Sequence, residues 1–463
     1  MTPAARVQAT IDLLTEIADA SDRPADGTIS KFLRARRYIG SKDRASITGS
    51  VFAVLRHRAR LDWWLEAVDV EPAPRSRAIA ALTLLDGHSA DQVDALFPGD
   101  QYGPKPLSPT EQRLIAATAG RPIDDPEMPR PVALECPDWV ADSLRGVFGD
   151  DYEAELAGLL QEAPVDLRVN TLKAARQPVL DRLLKDGFAA APTPLSPIGI
   201  RLTVDGGRPN VSGHPLFRDG VIEVQDEGSQ LAALLVGARA GYQVVDICAG
   251  AGGKSLAMAA AMGNKGRLVA ADISKGRLLR SKERLRRAGV DNVEPRQIEP
   301  ERDRWVRRSR GKYDRVLVDA PCTGTGAWRR NPDARWRPVD LERVVARQTA
   351  ILGQAARLAK PGGRVVYVTC SLLPEENEQV VDAVKQHDPA LKAVPIEQAW
   401  DEAIGVGECP GTGDVLRLTP HRHGTDGFFV AVLERTADAP EPEAGEDAAE
   451  EAVGGDVDSH ETV

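Results

Sequence analysis

Two cysteines stand in sequence settings that could support chemistry. Cys322 ends the run Asp319-Ala320-Pro321-Cys322 and is followed by glycines, and Cys370 lies between Thr369 and Ser371. Each follows a short apolar run, 316–318 and 365–368, of the kind that forms a buried strand. A lone cysteine is more often a small buried hydrophobic residue, but two thiols at the ends of separate strands are hard to explain as packing. The pattern therefore predicts thiol chemistry, because a thiolate is a strong nucleophile.

A glycine-rich turn follows an earlier apolar run. It reads Asp246-Ile247-Cys248-Ala249-Gly250-Ala251-Gly252-Gly253-Lys254. A phosphate-binding P-loop would need glycine where Cys248 stands, so that pattern fails. A dinucleotide fingerprint is incomplete, because Ser255 occupies the place of its third glycine. A turn for S-adenosylmethionine, with Asp246 as the acid that precedes the glycines, is the third interpretation.

Asp272 ends the next apolar run, 26 residues after Asp246. A carboxylate at this place can accept both hydroxyls of a ribose, or it can cap the following helix. The glycine turn before it favours ribose binding. Both NAD and S-adenosylmethionine carry that ribose, so Asp272 does not distinguish them.

The elements that must position these residues alternate between strands and helices. Apolar runs at 244–247, 268–271, 316–318 and 365–368 are separated by helical stretches. This alternation indicates an α/β fold with a parallel sheet covered on both faces. Ligands of such sheets bind beyond the carboxyl ends of the strands, which is where all the motifs fall.

Four segments are predicted along the 463 residues. Residues 1–125 have the apolar spacing of helices, a proline-rich linker follows, 132–225 mix helices with strands, and 226–435 form the α/β unit. The remaining 436–463 hold ten acidic residues and no Lys or Arg, and are expected to be disordered. Without them the chain has 59 acids and 59 bases, so the net charge of −10 belongs to the tail.

Two basic stretches suit phosphates. Nine Lys or Arg and one acid lie between Lys31 and Arg60, which indicates either a nucleic-acid surface or a solvated face. The second stretch follows Cys322 and interleaves cations with aromatic residues, an arrangement that suits phosphates and unstacked bases. Its members are Trp328, Arg329, Arg330, Arg335, Trp336 and Arg337.

Composition excludes several classes of protein. Five widely spaced cysteines without a CxxC pair argue against a metal site or a disulfide framework. No run of 18 apolar residues predicts a membrane span, and the N-terminus lacks the pattern of a signal peptide. We therefore expect a cytoplasmic protein with no metal and no membrane partner.

The residues together resemble a known family. Asp319-Ala320-Pro321-Cys322, then Thr369-Cys370-Ser371 with Pro374-Glu375-Glu376-Asn377-Glu378, is similar to the Sun/Fmu (RsmB/NOP-like) family of RNA 5-methylcytosine methyltransferases. The glycine turn, residues 224–230 and residues 168–171 are similar to family elements too, so the resemblance covers about 130–435. The helical front resembles, more loosely, the NusB-like RNA-binding domain of the bacterial rRNA branch. Where the family has an acid near the adenine, the nearest residue here is Glu299.

The resemblance implies a function and roles. The fold would be a Rossmann-like class I methyltransferase, the cofactor S-adenosylmethionine and the partner RNA, with 16S rRNA indicated by the resemblance of the helical front. Separately, we expect the protein to be a monomer. Cys370 would attack the cytosine, Cys322 would assist release, and Asp319 would bind the cytosine edge. Lys254 would activate a thiol or orient the base. The cofactor would be held by residues 246 and 248–254, Asp272, Glu299 and Asp319.

Three other functions share parts of this pattern. A DNA cytosine-5 methyltransferase also uses a Pro-Cys loop, but there that cysteine is the nucleophile and no Thr-Cys motif follows. A non-catalytic RNA-binding assembly factor would be expected to lose a thiol or the glycine turn, and this sequence keeps both. An NAD enzyme is disfavoured by the incomplete fingerprint.

Overall fold

The computed structural model describes residues 1–20, 23–203, 209–299 and 303–436. The predicted tail, 436–463, lies outside the described residues from 437 onward. None of the described helices is both long enough and apolar enough to cross a membrane.

The first 118 residues form helices around one apolar core. Apolar residues recur at helical spacing, and Leu13, Ile47 and Leu61 are fully buried between the helices. Local signals set the ends: Thr2 accepts a hydrogen bond from the N–H of Ala5 at the first helix, and Ser108 caps the last. The helices are α1 (Pro3–Asp19), α2 (Ala25–Ala35), α3 (Ser41–Arg56), α4 (Arg58–Glu66), α5 (Pro74–Leu84), α6 (Ala90–Asp94) and α7 (Pro109–Thr118).

A small antiparallel sheet with helices follows. Residues 138–160 form two helices, because Gly149, with φ +52°, ends the first one and a short 3-10 turn precedes the second. The strand order is β2-β3-β1-β4. The elements are α8 (Arg130–Ala133), α9 (Asp138–Phe148), α10 (Tyr152–Leu160), β1 (Val165–Val169), α11 (Arg176–Lys185), β2 (Ala190–Pro192), β3 (Gly199–Leu202), α12 (Pro215–Arg218) and β4 (Ile222–Val224).

The remaining residues form a large sheet covered by helices, which confirms the predicted α/β fold with a mostly parallel sheet. Its order is β10-β12-β9-β8-β5-β6-β7, with β11 paired to β12. The elements are α13 (Glu227–Leu234), β5 (Gln243–Ile247), α14 (Gly253–Ala261), β6 (Arg267–Asp272), α15 (Lys275–Ala288), β7 (Val293–Gln297), α16 (Arg304–Arg308), β8 (Tyr313–Asp319), α17 (Leu341–Ala356), β9 (Ala359–Thr369), α18 (Glu378–His387), β10 (Leu391–Ala393), α19 (Ile396–Ala403), β11 (Val415–Leu418), α20 (Pro420–His423) and β12 (Phe428–Arg435).

Strand direction brings the motifs together. β7, β6, β5, β8 and β9 run parallel, and β12 closes the sheet antiparallel to β9. The fully apolar runs of β5, β8 and β9 are buried on both faces, as expected for a parallel sheet. Because parallel strands end at one edge, the segments after β5, β6, β8 and β9 share that edge.

Hydrogen bonds of two charged side chains tie the three regions together. Arg56, at the end of α3, donates to the carbonyl oxygens of Leu160, Gln161 and Arg329 at 3.1–3.3 Å. Glu135, which is fully buried, accepts the backbone N–H groups of Ala59 and Arg60 at the start of α4. The helical region is therefore fixed to the other two by hydrogen bonds that cross between them.

Candidate active site

The glycine turn between β5 and α14 has an unusual backbone. Cys248, Gly250 and Gly252 all have positive φ, at 69°, 57° and 80°. Glycine adopts this region without strain, whereas Cys248 is held there by its surroundings. The N–H of Gly250 donates to Oδ2 of Asp272 at 2.8 Å, so the ends of β5 and β6 are joined directly.

Asp272 lies at the cavity wall and does not cap α15. That role belongs to Ser274, whose hydroxyl accepts the N–H of Arg277. Oδ1 of Asp272 accepts the N–H of Ser274 at 2.7 Å and lies 3.4 Å from the Arg277 guanidinium. The capping alternative is thereby removed, and a ribose-binding role for Asp272 stays a prediction.

Asp246 is buried beneath the glycine turn. Its Oδ2 accepts the hydroxyl of Ser255 at 2.5 Å, and its Oδ1 has no hydrogen-bond partner among the described residues. Burial raises the pKa of Asp246 to about 7, against the hydrogen bond from Ser255, which lowers it. Unlike Cys248 and Gly250, Asp246 does not line the cavity described below.

The two cysteine thiols meet. Cys322 Sγ lies 3.4 Å from Cys370 Sγ, although 48 residues separate them along the chain. The hydrogen bond between the thiols, together with burial, raises the pKa of Cys322 well above its ordinary value. Cys322 is therefore held as a neutral thiol beside Cys370.

A buried carboxylate holds both cysteine loops. Oε1 of Glu376 accepts the N–H of Thr323 at 2.8 Å and the side-chain amide of Gln348 at 2.9 Å. Its Oε2 accepts the hydroxyls of Thr323 and Ser371, the residues next to Cys322 and Cys370. Glu376 was recognised in the sequence only as part of a motif, and its spacing from Cys370 carried no sign of this role.

Asp319 and Lys254 form an ion pair beside the thiols. Lys254 Nζ lies 2.8 Å from Asp319 Oδ2 and 5.5 Å from the centre of the Phe428 ring. Burial opposes the charge on Lys254, but Asp319 outweighs it and the pKa of Lys254 is raised. Lys254 is therefore a cation that orients the Asp319 carboxylate.

A cavity of about 420 Å³ lies at this edge of the sheet, a volume within the range of ligand sites. Asp272 and Asp319 provide carboxylates in its wall, and both thiols reach it. The rest of the wall is mainly apolar, which suits a flat base. The lining residues include Ile247, Cys248, Gly250, Asp272, Ile273, Arg277, Ile298, Val306, Asp319, Ala320, Pro321, Cys322, Arg347, Ile351, Gln354, Ala355, Leu358 and Cys370.

Several predicted site residues lie away from this cavity. Glu299 is exposed, its N–H donates to Asp303, and its neighbour Ile298 occupies the wall instead. Ala249, Ala251, Gly252 and Gly253 shape the turn without lining the cavity. The geometry therefore gives Glu299 no contact with the site.

The interpretation of the arginines after Cys322 as phosphate ligands is wrong. Arg329 is buried and donates to Asp426 at 2.5 Å, and Arg330 binds both Asp226 and Asp426. Arg335 is also buried, with its guanidinium 4.7 Å from the centre of the Trp328 ring. Arg329 and Arg330 therefore hold the loop after Cys322 against the segment before β12, and Arg335 donates to the carbonyl oxygen of Leu159.

The fold and this cavity define a class, the S-adenosylmethionine-dependent methyltransferases. Residues 233–434 match the family model of the 16S rRNA methyltransferase RsmB/F, and 136–206 match the ferredoxin-like domain of the RsmF/B-like methyltransferases. The chain is 30% identical over 441 residues to the probable ribosomal RNA small subunit methyltransferase B of Synechocystis sp., covering 89% of this chain and 96% of that protein. The chain therefore belongs to the RsmB/F family of methyltransferases, and the predicted family resemblance is confirmed.

Solved structures agree with this assignment. The crystal structure of PH0851 is 25% identical, covers 94% of this chain and 99% of its own, and superposes with a TM-score of 0.74. A methyltransferase homologue from Pyrococcus horikoshii is 28% identical, with a TM-score of 0.56, and covers 66% of this chain and 97% of its own. The similarity to PH0851 extends over nearly the whole chain, beyond the methyltransferase fold.

Proposed function

We propose that this protein methylates carbon 5 of a cytosine in RNA, with 16S rRNA as the substrate. The observation that supports this most directly is the 3.4 Å separation of Cys322 Sγ and Cys370 Sγ at the wall of the cofactor cavity. Carbon 5 of cytosine is a poor nucleophile, so its methylation needs a covalent step that a thiol can supply. The target base must be unpaired or flipped out to reach the cavity.

Cys370 is the proposed nucleophile. Its Sγ, as a thiolate that has lost its proton to solvent, bonds to carbon 6 of cytosine, and the electron pair of the 5,6 double bond makes carbon 5 nucleophilic. S-adenosylmethionine supplies an electrophilic methyl group when bound. Cys322 assists the last stage, in which solvent water takes the proton from carbon 5, the electron pair of that C–H bond restores the 5,6 double bond, and the Cys370 Sγ–C6 bond breaks with its electrons returning to Sγ.

Asp319 is the proposed ligand of the cytosine edge. Its carboxylate lines the cavity beside the thiols, and Lys254 fixes one oxygen at 2.8 Å. A carboxylate held in this way can hydrogen-bond the base and favour its protonation as it accepts the thiolate's electrons. The ion pair between Lys254 and Asp319 favours one of the two predicted roles of Lys254, which is to orient the base by holding Asp319.

The cofactor is proposed to lie between the glycine turn and Asp272. The Asp272 carboxylate would bind the ribose hydroxyls, the turn at 248–250 would allow close approach of the backbone, and the apolar wall would hold the adenine. Asp246 would support the glycine turn from beneath through its hydrogen bond with Ser255. Among the described residues no cluster of His, Cys, Asp and Glu has the arrangement of a metal site, and the proposed chemistry requires none.

The rival functions predict different cysteine behaviour. A DNA enzyme of the Pro-Cys type would use Cys322 as nucleophile and would not need a second thiol, Cys370, at 3.4 Å from it. An assembly factor without activity would not need two thiols, an oriented carboxylate and a cofactor cavity in one place. The proposed monomeric state is tested by the mass of the protein in solution.

The test is covalent trapping. Cys322→Ser is expected to stop after methyl transfer and leave a protein–RNA adduct on a denaturing gel when incubated with S-adenosylmethionine and unmodified small-subunit rRNA transcript. Cys370→Ala is expected to give neither adduct nor 5-methylcytosine. Normal turnover by Cys322→Ser, or adduct accumulation with Cys370→Ser, would show that the roles assigned to the two cysteines are wrong. Methyl transfer to a DNA of the same sequence at the same rate as to the RNA would overturn the proposal that RNA is the substrate.

A further inference from the structure

Helix α15 carries an excess of positive charge next to the active site. Seven of its 14 residues are Lys or Arg, and Glu283 is its single acid. The helix begins three residues after Asp272, and Arg277 in its first turn lines the cofactor cavity. A basic surface therefore starts at the wall of the cavity.

The cations of α15 fall into two groups. Arg277, Arg284 and Arg287 face neighbouring elements, where Arg277 lies near Asp272 and the other two bind Glu223 on β4. Arg284 also donates to the carbonyl oxygen of Ala251 in the glycine turn at 2.9 Å. This group stabilises the fold.

The second group faces solvent. Lys275, Arg280, Lys282 and Arg286 are exposed, and no ion pair joins them to a carboxylate within the described part of the chain. Arg280 lies at least about 120° away around the helix axis, which leaves Lys275, Lys282 and Arg286 on one side of the helix. Helical geometry places them, with Leu279, within about 60° of one another around the axis and along about 16 Å of it. We call these four residues the α15 stripe.

The α15 stripe differs from an ordinary solvated helix face in two ways. Like charges stand four residues apart at Lys282 and Arg286, a spacing at which helices are stabilised by opposite charges. Leu279, in the middle of the stripe, is 53% exposed, and Ile273 at its cavity end is 40% exposed. Cations flanking exposed apolar side chains suit phosphates and partly unstacked bases.

We propose that the α15 stripe binds the RNA strand next to the target cytosine. The inference rests on the proposed function, since RNA is the substrate that would place phosphates there. A strand laid along 16 Å brings about three phosphates to Lys275, Lys282 and Arg286, and the stripe leads that strand to the cavity wall at Ile273. Leu279 contacts a sugar or base between the phosphates.

The experiment compares two triple variants of equal charge. In the first, Lys275→Gln, Lys282→Gln and Arg286→Gln remove the three cations of the stripe. In the control, Lys265→Gln, Lys312→Gln and Lys392→Gln remove three exposed cations elsewhere: Lys265 and Lys312 precede β6 and β8 at the far end of the strands, and Lys392 is on β10 at the opposite edge of the sheet. Glutamine suits helices, so both variants are expected to fold, and circular dichroism checks this.

Affinity for an unmodified rRNA transcript is measured over a range of salt concentrations. Losing three phosphate contacts should reduce the slope of log affinity against log salt by about 2 and lower affinity on the order of tenfold. KM for RNA should rise with little change in kcat, and affinity for S-adenosylmethionine should stay unchanged. The control should behave as wild type.

Three results separate the possible failures. A stripe variant with the wild-type slope, or a control variant with an equal loss, overturns the stripe as an RNA site. A loss of S-adenosylmethionine affinity in the stripe variant also overturns it, because the helix would then act through the cofactor cavity. A third result concerns the proposed function alone. If the stripe variant weakens salt-dependent RNA binding but the wild type forms no 5-methylcytosine, the proposed function is refuted and the stripe is still supported as an RNA site.

Discussion

Single residues in this site are set by their surroundings more than by their type. Cys322 and Cys370 are both free cysteines, yet the hydrogen bond between them holds Cys322 as a neutral thiol. Asp246 lies one residue before the end of β5, and Asp272 is the last residue of β6. Only Asp272 reaches the cavity wall, while Asp246 is enclosed and its pKa is raised by burial. Sequence motifs therefore identified these residues, but their different environments decide what each can do.

Asp246 should make stability depend on pH. A carboxyl group with a pKa of 3.8 when unfolded and about 7 when folded stabilises the protein in its protonated form. That stabilisation is complete below pH 3.8 and is lost as the pH rises to about 7, with an upper limit of ~4 kcal/mol. Asp246→Asn, which keeps an acceptor for Ser255, is expected to flatten this part of the stability curve.

Denaturant unfolding of wild type and Asp246→Asn at pH 4.5, 6 and 7.5 measures this difference. The free energy of unfolding of the variant, relative to wild type, should increase as the pH rises. A difference that stays constant with pH would show that Asp246 is ionised throughout the range.

At the scale of elements, the catalytic edge depends on the loops after β8 and β9. These loops are joined by Glu376 and by the N–H of Gly326, which donates to the carbonyl oxygen of Cys370 at 2.9 Å. Gly326 must be glycine, because a Cβ there would lie 2.4 Å from the carbonyl oxygen of Gly427. The separation of the two thiols is thus fixed by contacts outside the thiols themselves.

Glu376→Gln is expected to loosen the two cysteine loops. The NH2 group of the new glutamine would face N–H and O–H donors that now bind a carboxylate oxygen. Leaving a buried donor without its acceptor costs about 1–3 kcal/mol. We expect kcat to fall at least about tenfold, the equivalent of 1.4 kcal/mol. The yield of the adduct in a Cys322→Ser background should fall too, since Cys370 would no longer be held in place.

Glu375→Gln is the matched control. Glu375 is the adjacent carboxylate in the loop after β9 and is half-buried. Its side chain accepts the hydroxyl of Ser143 on α9, whereas Glu376 accepts the hydroxyls of Thr323 and Ser371. Its variant should retain the activity of the wild type. Equal losses of activity in both variants would contradict a specific role for Glu376.

The elements show where sequence patterns suffice. The buried parallel strands could be predicted because their apolar runs are continuous, whereas β7, with the sequence Val-Glu-Pro-Arg-Gln, is only half-buried and carries no such run. The arginines after Cys322 were misread because charge spacing does not reveal partners. Asp426 lies 97 residues from Arg329, and only the fold brings the two together.

At the scale of the whole molecule, the helical region is part of one assembly with the catalytic sheet. Of the basic residues between 31 and 60, the last ones serve this contact: Arg60 is buried against Glu135, and Arg56 binds three carbonyl groups. Lys31, Arg34, Arg37 and Lys42 remain exposed. Fewer cations are therefore available for a phosphate surface than the sequence indicated. The NusB-like resemblance and the segment boundaries stay predictions.

Arg56→Met should weaken the attachment of the helical region. The loss of hydrogen bonds to Leu160, Gln161 and Arg329 is expected to cost on the order of 2 kcal/mol, because each bond involves a charged donor. Calorimetry should show a lower Tm or a separate transition for the helical region. Lys42→Met, which removes an exposed cation from the same helix, should leave the unfolding profile unchanged.

The antiparallel closing strand also constrains how the chain is made. β9, which ends just before Cys370, lies between β8 and β12, and β12 extends to Arg435. The helices of the first 118 residues contact one another locally and can form while synthesis continues, but β9 stays an open edge until β12 has left the ribosome. The two thiols therefore come together late in synthesis. A chain truncated before β12 would expose a long apolar strand edge that is prone to aggregation.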